Sequence, residues 1–508
     1  MISAPSHRPL LNGNKLLTLA LLGLFVSSCA LFQKAEPEEE PEDVGEELDP
    51  LPGTKVYDPE TGTMVVVDET PVDDMDTIKW KEIATDSIPP IESGNQMAQE
   101  EQTSGNASEL IERGDYGTEY YTSYNVVLML PFLSNRFSPD APRIYDNSYW
   151  ALNYYGGVKM ALDELEDRDN IKLNLTVMDS KASTERVRNL LNSRSELFNA
   201  HMIIGNYRSD NADLVAAFAQ RNGITYVSPH TASAKVGQSN PNYVQVSPTL
   251  RTHCEVITQH ARQTYGRRNV VLVARDKPVE TARFNYFQNE NFRLEGATAD
   301  SVMLREYVVE GNDDKYDNIN LSQFISPGDT TVFIVPSWSS ETFIYALLSQ
   351  AKLAQSEGMG EERVPQDFQG AHVVFYGMPQ WQRYDRLDLN LYEDLNVHIS
   401  SDTYLDPYDS DIKFFQRRFF ERYGLPPGNE AYLGYDVMRY FGEMIYKHGT
   451  KFQYRLDQEP ASLLHTRFRF DRVVKAMNGR TENLPIERFE NKFVNILKFE
   501  DYQFQIVN

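Results

Sequence analysis

Between Met202 and Ser233 the chain reads MIIGNYRSDNADLVAAFAQRNGITYVSPHTAS: an apolar run, a polar loop, a stretch of helical period, a second apolar run and a second polar loop. That order predicts a β-α-β unit, and a β-α-β unit commits its surroundings to a parallel sheet covered by helices. Ile203 and Ile204 end the first strand, and Gly205 permits a tight exit into Asn206, Tyr207, Arg208 and Ser209. A helix with Leu214 and Phe218 on its apolar face follows, and the strand Ile224 to Val227 then empties into Ser228, Pro229, His230, Thr231 and Ser233. Loops at the carboxyl ends of adjacent parallel strands face one crevice, and a helix N-terminus there favours an anionic group. Two such loops rich in hydroxyls predict one wall of a small-molecule cleft.

The same alternation continues on both sides. Upstream lie GVKMALDEL (157–165) and IKLNLTVMDS (171–180), and downstream NYVQVSP (242–248), NVVLVARD (269–276), DIKFFQRRFFERY (411–423) and NEAYLGYD (429–436). In this order the landmarks resemble the type I periplasmic binding proteins, above all the branched-chain amino-acid-binding family, from about Tyr124 to the C-terminus. The resemblance implies an α/β fold of two lobes, each a mostly parallel sheet flanked by helices. Lobe 1 is expected over 121–247 and 405–465, and lobe 2 over 248–404 and 466–508.

Everything before residue 121 reads differently. Lys15 precedes an apolar stretch, Leu16 to Val26, too short to span a bilayer but suited to a signal peptide, expected over 1–28. It ends in Val26, Ser27, Ser28 and Cys29, which resembles a lipobox with Cys29 as the lipidated residue; acyl chains there would anchor the protein to a membrane. Residues 29–120 form an acidic tether, expected to be largely disordered. From Ala30 to Tyr120 it carries 25 Asp and Glu against 5 Lys and Arg, which accounts for −20 of the chain's net −25. Alanine after Cys29 and the acidic residues beyond it resemble outer-membrane lipoproteins and, more loosely, the surface-export signals of Bacteroidetes lipoproteins. Thr63 to Val67 (TMVVV) interrupts the tether with a β-prone patch able to add to a sheet edge. No clustered basic face is visible, which argues against nucleic acid as a partner.

The resemblance also implies where a ligand would sit. Ser209 matches the family's carboxylate-binding serine, Thr231 and Ser233 fall in the second binding loop, and Arg208 stands ready for a charge-assisted contact. In lobe 2 the loop after Asp276, where the family carries a stacking tyrosine, reads Lys277, Pro278, Val279, Glu280. Trp338 is the substitute aromatic wall, and Gln380 and Trp381 stand where the family places an acid against the ligand ammonium. No catalytic motif and no cofactor or metal site is recognisable; His253 and His260 share a helix face without a third ligand, and Cys254 reads as core. The expected function is a membrane-anchored solute-binding lipoprotein holding a small molecule between its lobes. The alternative is an envelope interaction protein that uses the same scaffold to bind another protein.

Overall fold

The computed structural model describes residues 54–58, 63–67, 109–137, 144–267, 269–295, 303–310, 316, 318–325, 328–338, 340–357, 372–384, 386–475 and 484–507. The expected signal peptide, Cys29 and most of the expected tether lie outside them. Thr63–Val67 pairs antiparallel with Thr54–Asp58, forming its own hairpin rather than extending a lobe's sheet.

The folded chain alternates strands and helices. β1 (Tyr124–Leu130), α1 (Tyr149–Asp169), β2 (Leu173–Asp179), α2 (Thr184–Ser193), β3 (Met202–Gly205), α3 (Ser209–Asn222), β4 (Thr225–Ser228) and β5 (Tyr243–Gln245) come first. A second series follows: α4 (Leu250–Tyr265), β6 (Val270–Arg275), α5 (Phe284–Glu295), β7 (Arg305–Val309), β8 (Thr330–Ile334), α6 (Glu341–Glu357), β9 (His372–Gly377) and β10 (Val397–Ser401). The chain then returns through α7 (Ser410–Tyr423) and α8 (Asn429–His448), and closes with β11 (Phe470–Val474), β12 (Ile486–Asn491), β13 (Asn495–Glu500) and β14 (Gln503–Ile506).

These strands build two sheets of seven, ordered β11-β12-β5-β4-β3-β1-β2 and β7-β6-β8-β9-β10-β13-β14. Five neighbouring pairs in the first are parallel and only β11 runs against β12; the second is parallel from β7 to β10 and antiparallel beyond. The chain passes between sheets three times: after β5, after β10 and after β12. The last passage corrects the expected boundary at residue 466. β11 and β12 complete the lobe-1 sheet, so lobe 1 runs to Asn491 and lobe 2 resumes only at Asn495. The antiparallel pairing of β11 with β12 hides this return, because a hairpin at a sheet's edge reads the same whichever sheet receives it.

Both faces of the lobe-1 sheet are buried, and β1 displays the two-residue period directly. Val126, Leu128 and Leu130 join the core beneath α1 and α8, while Val127 and Met129 join the core beneath α2 and α3. At the end of β3, Gly205 has φ +133, and a Cβ there would overlap the backbone carbonyl of Met129, so the tight exit is reserved for glycine.

α1 and α8 cross almost backbone to backbone. A methyl on Gly157 would overlap the Ala431 carbonyl, and one on Gly434 would overlap the Tyr154 carbonyl. Glycine on both helices therefore sets their separation, and α7 lays Phe415 and Phe419 over the outside of the pair. The lobe-2 core includes His398 on β10, 2% exposed, its ring stacked on Tyr376 at 4.8 Å and its Nδ1 donating to the Asn396 carbonyl at 2.8 Å. Burial holds this imidazole down, to about 4.

Two outcomes follow from this packing. Gly157→Ala or Gly434→Ala should lower unfolding stability by about 3 kcal/mol or more, seen as a fall in urea midpoint, because neither helix can retreat without opening the core. The depressed His398 makes the unfolded chain bind a proton more readily below its ordinary value, so stability should fall as pH drops from about 6.5 toward 4, by up to about 3 kcal/mol. Thermal denaturation across that range reads the slope, and His398→Phe should flatten it; an unchanged slope would contradict the assignment.

Candidate functional site

In each sheet the strand order reverses beside the first parallel strand, between β1 and β3 in lobe 1 and between β6 and β8 in lobe 2. Crevices open at the carboxyl ends of strands flanking such a reversal. In lobe 1 that end holds the loops after β3 and β4, as the sequence predicted, but the helices contribute as much as the loops. Arg208 precedes the first turn of α3, half-buried and 3.9 Å from Asp210, and Ser209 opens that helix. Thr231 is 1% exposed, and its hydroxyl lacks a hydrogen-bond partner. Ser233 is fully buried, but its hydroxyl accepts from the Lys235 amide at 3.2 Å, so it closes a local turn.

Trp150, Tyr154 and Glu430, which the sequence reading did not assign to the site, meet His230, the residue before Thr231. Trp150 and Tyr154, one turn apart on α1, face His230: Trp150 meets the imidazole edge-on at 5.2 Å, and Tyr154 lies at 5.3 Å. The other side of Trp150 meets Tyr207 at 5.2 Å, so one indole bridges the two strand-end loops. Glu430, in the first turn of α8, sets Oε2 2.8 Å from His230 Nε2. Burial raises its carboxyl, but the facing His230, with smaller help from His465 and Arg383, outweighs this and holds it below the usual carboxylate range. The Tyr154 hydroxyl and His230 Nδ1 are buried and unpartnered. The i, i+4 spacing of Trp150 and Tyr154 was legible, but nothing local joins them to Glu430; the α1–α8 crossing does that.

The lobe-2 loops are largely committed to one another, although His253 Nδ1 is buried without a partner. Trp381 is 1% exposed, its indole N–H donating to the Ser337 carbonyl at 3.1 Å, and its ring fills the space a side chain at Gly377 would need. It belongs to the core, which corrects its expected place at the cleft. Gln380 stays half-buried in the turn before it, and Trp338 is half-buried, edge-on to His253 at 6.2 Å. In the loop after β6, Glu280 is 3% exposed, ion-paired with Arg275 and accepting from the Ser337 hydroxyl at 3.1 Å. His253 is buried, and Cys254 is core as expected. Among the described residues no group of three or more His, Cys, Asp or Glu is placed to hold a metal ion, and no helix is long and apolar enough to cross a membrane.

The sequence of residues 147–284 matches the model of a family described as periplasmic binding protein. A protein assigned to branched-chain amino acid ABC transport in Rhodospirillum rubrum superposes over 76% of this chain and 100% of its own, with a TM-score of 0.53 at 13% identity. This is the type I periplasmic-binding-protein fold. A substrate-binding protein from Desulfitobacterium hafniense, solved with Leu, covers the same share of each chain at 16% identity and a TM-score of 0.47. LpoA from Haemophilus influenzae matches 76% of this chain and 59% of its own at 13% identity and 0.48. Curated protein sequences give no match.

Periplasmic-binding lobes are joined by three crossovers, and here the first and third are tied by one carboxylate. Glu490, on β12 of lobe 1, is fully buried and accepts from Thr249 Oγ1 at 2.8 Å and Thr252 Oγ1 at 2.9 Å, at the start of the lobe-2 helix α4. Arg488 at 2.8 Å and Lys492 at 2.6 Å compensate its charge. Burial alone would raise this carboxyl, but Lys492 and Arg488 together bring it down to about 2. The second crossover is held by Asp436, which fixes His465 at 2.6 Å, while the His465 carbonyl accepts from the Tyr404 amide at 2.7 Å.

Glu490→Gln should lower stability by about 3 kcal/mol or more at neutral pH, since it leaves the buried Arg488 and the half-buried Lys492 uncompensated. Because the carboxyl is depressed in the fold, its contribution is complete above about pH 4.5 and is lost as pH falls toward 2. Acid denaturation of the wild-type chain and the variant should therefore converge in that range.

Proposed function

We propose that this protein is a membrane-anchored solute-binding lipoprotein of the outer membrane that captures a small molecule between its lobes for transport or sensing. The observation that carries the reading is a set of unpartnered buried polar groups in lobe 1: Thr231 Oγ1 and His230 Nδ1 in the loop after β4, and the Tyr154 hydroxyl, whose ring lies beside His230. A buried polar group without a partner costs about 1–3 kcal/mol. Three within one lobe, two of them on the packed rings of His230 and Tyr154 beside the half-buried Trp150, favour an external ligand as the missing partner. Arg208 and Ser209 flank this group, and Trp338 and Gln380 face the crevice from lobe 2 in the same reading. The lipid anchor at Cys29 and the acidic tether would hold the lobes away from the membrane surface.

The commitment of the lobe-2 loops to one another favours a second reading, an envelope interaction protein on the same scaffold. With Trp381 in the core and Glu280 committed to Arg275 and Ser337, lobe 2 offers few free polar groups to a small ligand.

Thermal denaturation of the purified chain against a metabolite library separates the two. The solute-binding reading expects at least one compound to raise Tm saturably, and Thr231→Val to reduce the effect. No shift with any compound, together with stoichiometric co-purification of an envelope protein, would establish the interaction reading instead.

A further inference from the structure

Helix α7 carries a pattern that reads nearly alike in both directions. Around Arg417, Phe415 and Phe419 lie two residues to either side, Phe414 and Phe420 three, and Lys413 and Glu421 four. The inner pair serves the fold: Phe415 and Phe419 are buried over α1 and α8. Arg418 pairs with Glu164 and Arg422 with Asp163, which fixes α7 to α1. The outer pairs serve nothing within the chain. Phe414 is 41% and Phe420 55% exposed, and Leu425, just beyond the helix, is 56% exposed. Lys413 donates to the Tyr408 carbonyl at 3.1 Å but, like Arg417 and Glu421, is exposed and forms no ion pair among the described residues. Its position in the first turn, with Glu421 in the last, is also the reverse of what the helix dipole favours.

We infer that α7 is the two-fold interface of a homodimer, its exposed stripe packed antiparallel on the same stripe of a second copy of this chain. A two-fold axis at Arg417 sets Lys413 of each copy at the level of Glu421 of the other, once at each end of the contact. The same axis gathers Phe414 and Phe420 of both copies into one apolar seam. Each cation then stands against an anion, and each is opposed to a dipole end by its own helix only. Arg417 falls on the axis, where its guanidinium is drawn aside over Phe414, 5.5 Å from the ring centroid. A parallel pairing would set lysine against lysine, and an acidic partner or anionic membrane surface would leave Glu421 facing like charge. The stripe is about 21 Å long and about 10 Å wide. That is well below the ~800 Å² per partner of stable complexes, so association belongs in the micromolar range. Since α7 packs on lobe 1, lobe 2 stays outside the contact.

Sedimentation velocity of the full chain over about 1–200 μM tests this, and the wild type should show a reversible monomer–dimer equilibrium. Lys413→Glu or Glu421→Lys alone sets like charges together at both ends of the seam and should raise Kd about tenfold. An equimolar mixture of the two variants restores opposite charges at both ends, so the mixed dimer should form within about threefold of the wild-type affinity. Misfolded chains would not be rescued by mixing, and far-UV circular dichroism of each variant should match the wild type. Arg188→Glu, an exposed reversal on α2 at the other face of the lobe-1 sheet, should dimerise normally. A chain monomeric throughout the range, a dimer indifferent to both reversals, or a mixture no tighter than its components would overturn the proposal. The solute-binding reading stands or falls separately, on the metabolite library.

Discussion

Glycine against backbone at the α1–α8 crossing determines where the candidate site's parts can be. With Gly157 under the Ala431 carbonyl and Gly434 under that of Tyr154, the two helices approach more closely than any pair separated by side chains. That approach carries Glu430, at the start of α8, to the end of the lobe-1 sheet where α1 presents Trp150 and Tyr154. A wider separation would draw Glu430 away from His230 and leave the carboxylate in water and the imidazole unpaired. Helix packing and site chemistry are thus consequences of the same contact, although about 260 residues of chain lie between the two helices.

Lobes of common topology have been finished differently. Lobe 1 leaves polar atoms unpartnered at its strand ends, whereas lobe 2 closes its corresponding loops on themselves through Arg275, Glu280, Ser337 and the indole of Trp381. Glu490 then joins a lobe-1 strand to a lobe-2 helix through hydroxyls and charge together. Buried ionic contacts of this sort have strict geometry, so they favour particular relative positions of the lobes over a continuum. Lobe 1 is thus left with unmet hydrogen bonds in the loop after β4, while the loops of lobe 2 after β6 and β8 are largely committed to one another.

The parallel architecture was legible because its signals are local. Apolar runs of strand length, Gly205 at a strand exit and the alternation of strand and helix in Met202–Ser233 all reappear as β3, α3 and β4 with nearly the expected limits. The placement of Arg208, Ser209 and Thr231 just after strands was legible for the same reason. Ser233 and Trp381 illustrate what residue type cannot convey, since a serine may serve its own turn and a tryptophan its own core. Glu430 and the return of β11 and β12 to lobe 1 were illegible because they are set by contacts between distant segments. A single carboxylate in an acidic chain carries no mark of which helix end it will face.

The central claim is that the unmet hydrogen bonds of lobe 1 are completed by a small molecule. Native mass spectrometry of the full chain taken from its own envelope, without denaturing steps, tests it most directly. The account predicts a bound mass of metabolite size that disappears from the Thr231→Val and Glu430→Gln proteins. A chain of unadorned mass, from wild type and variants alike, would contradict it.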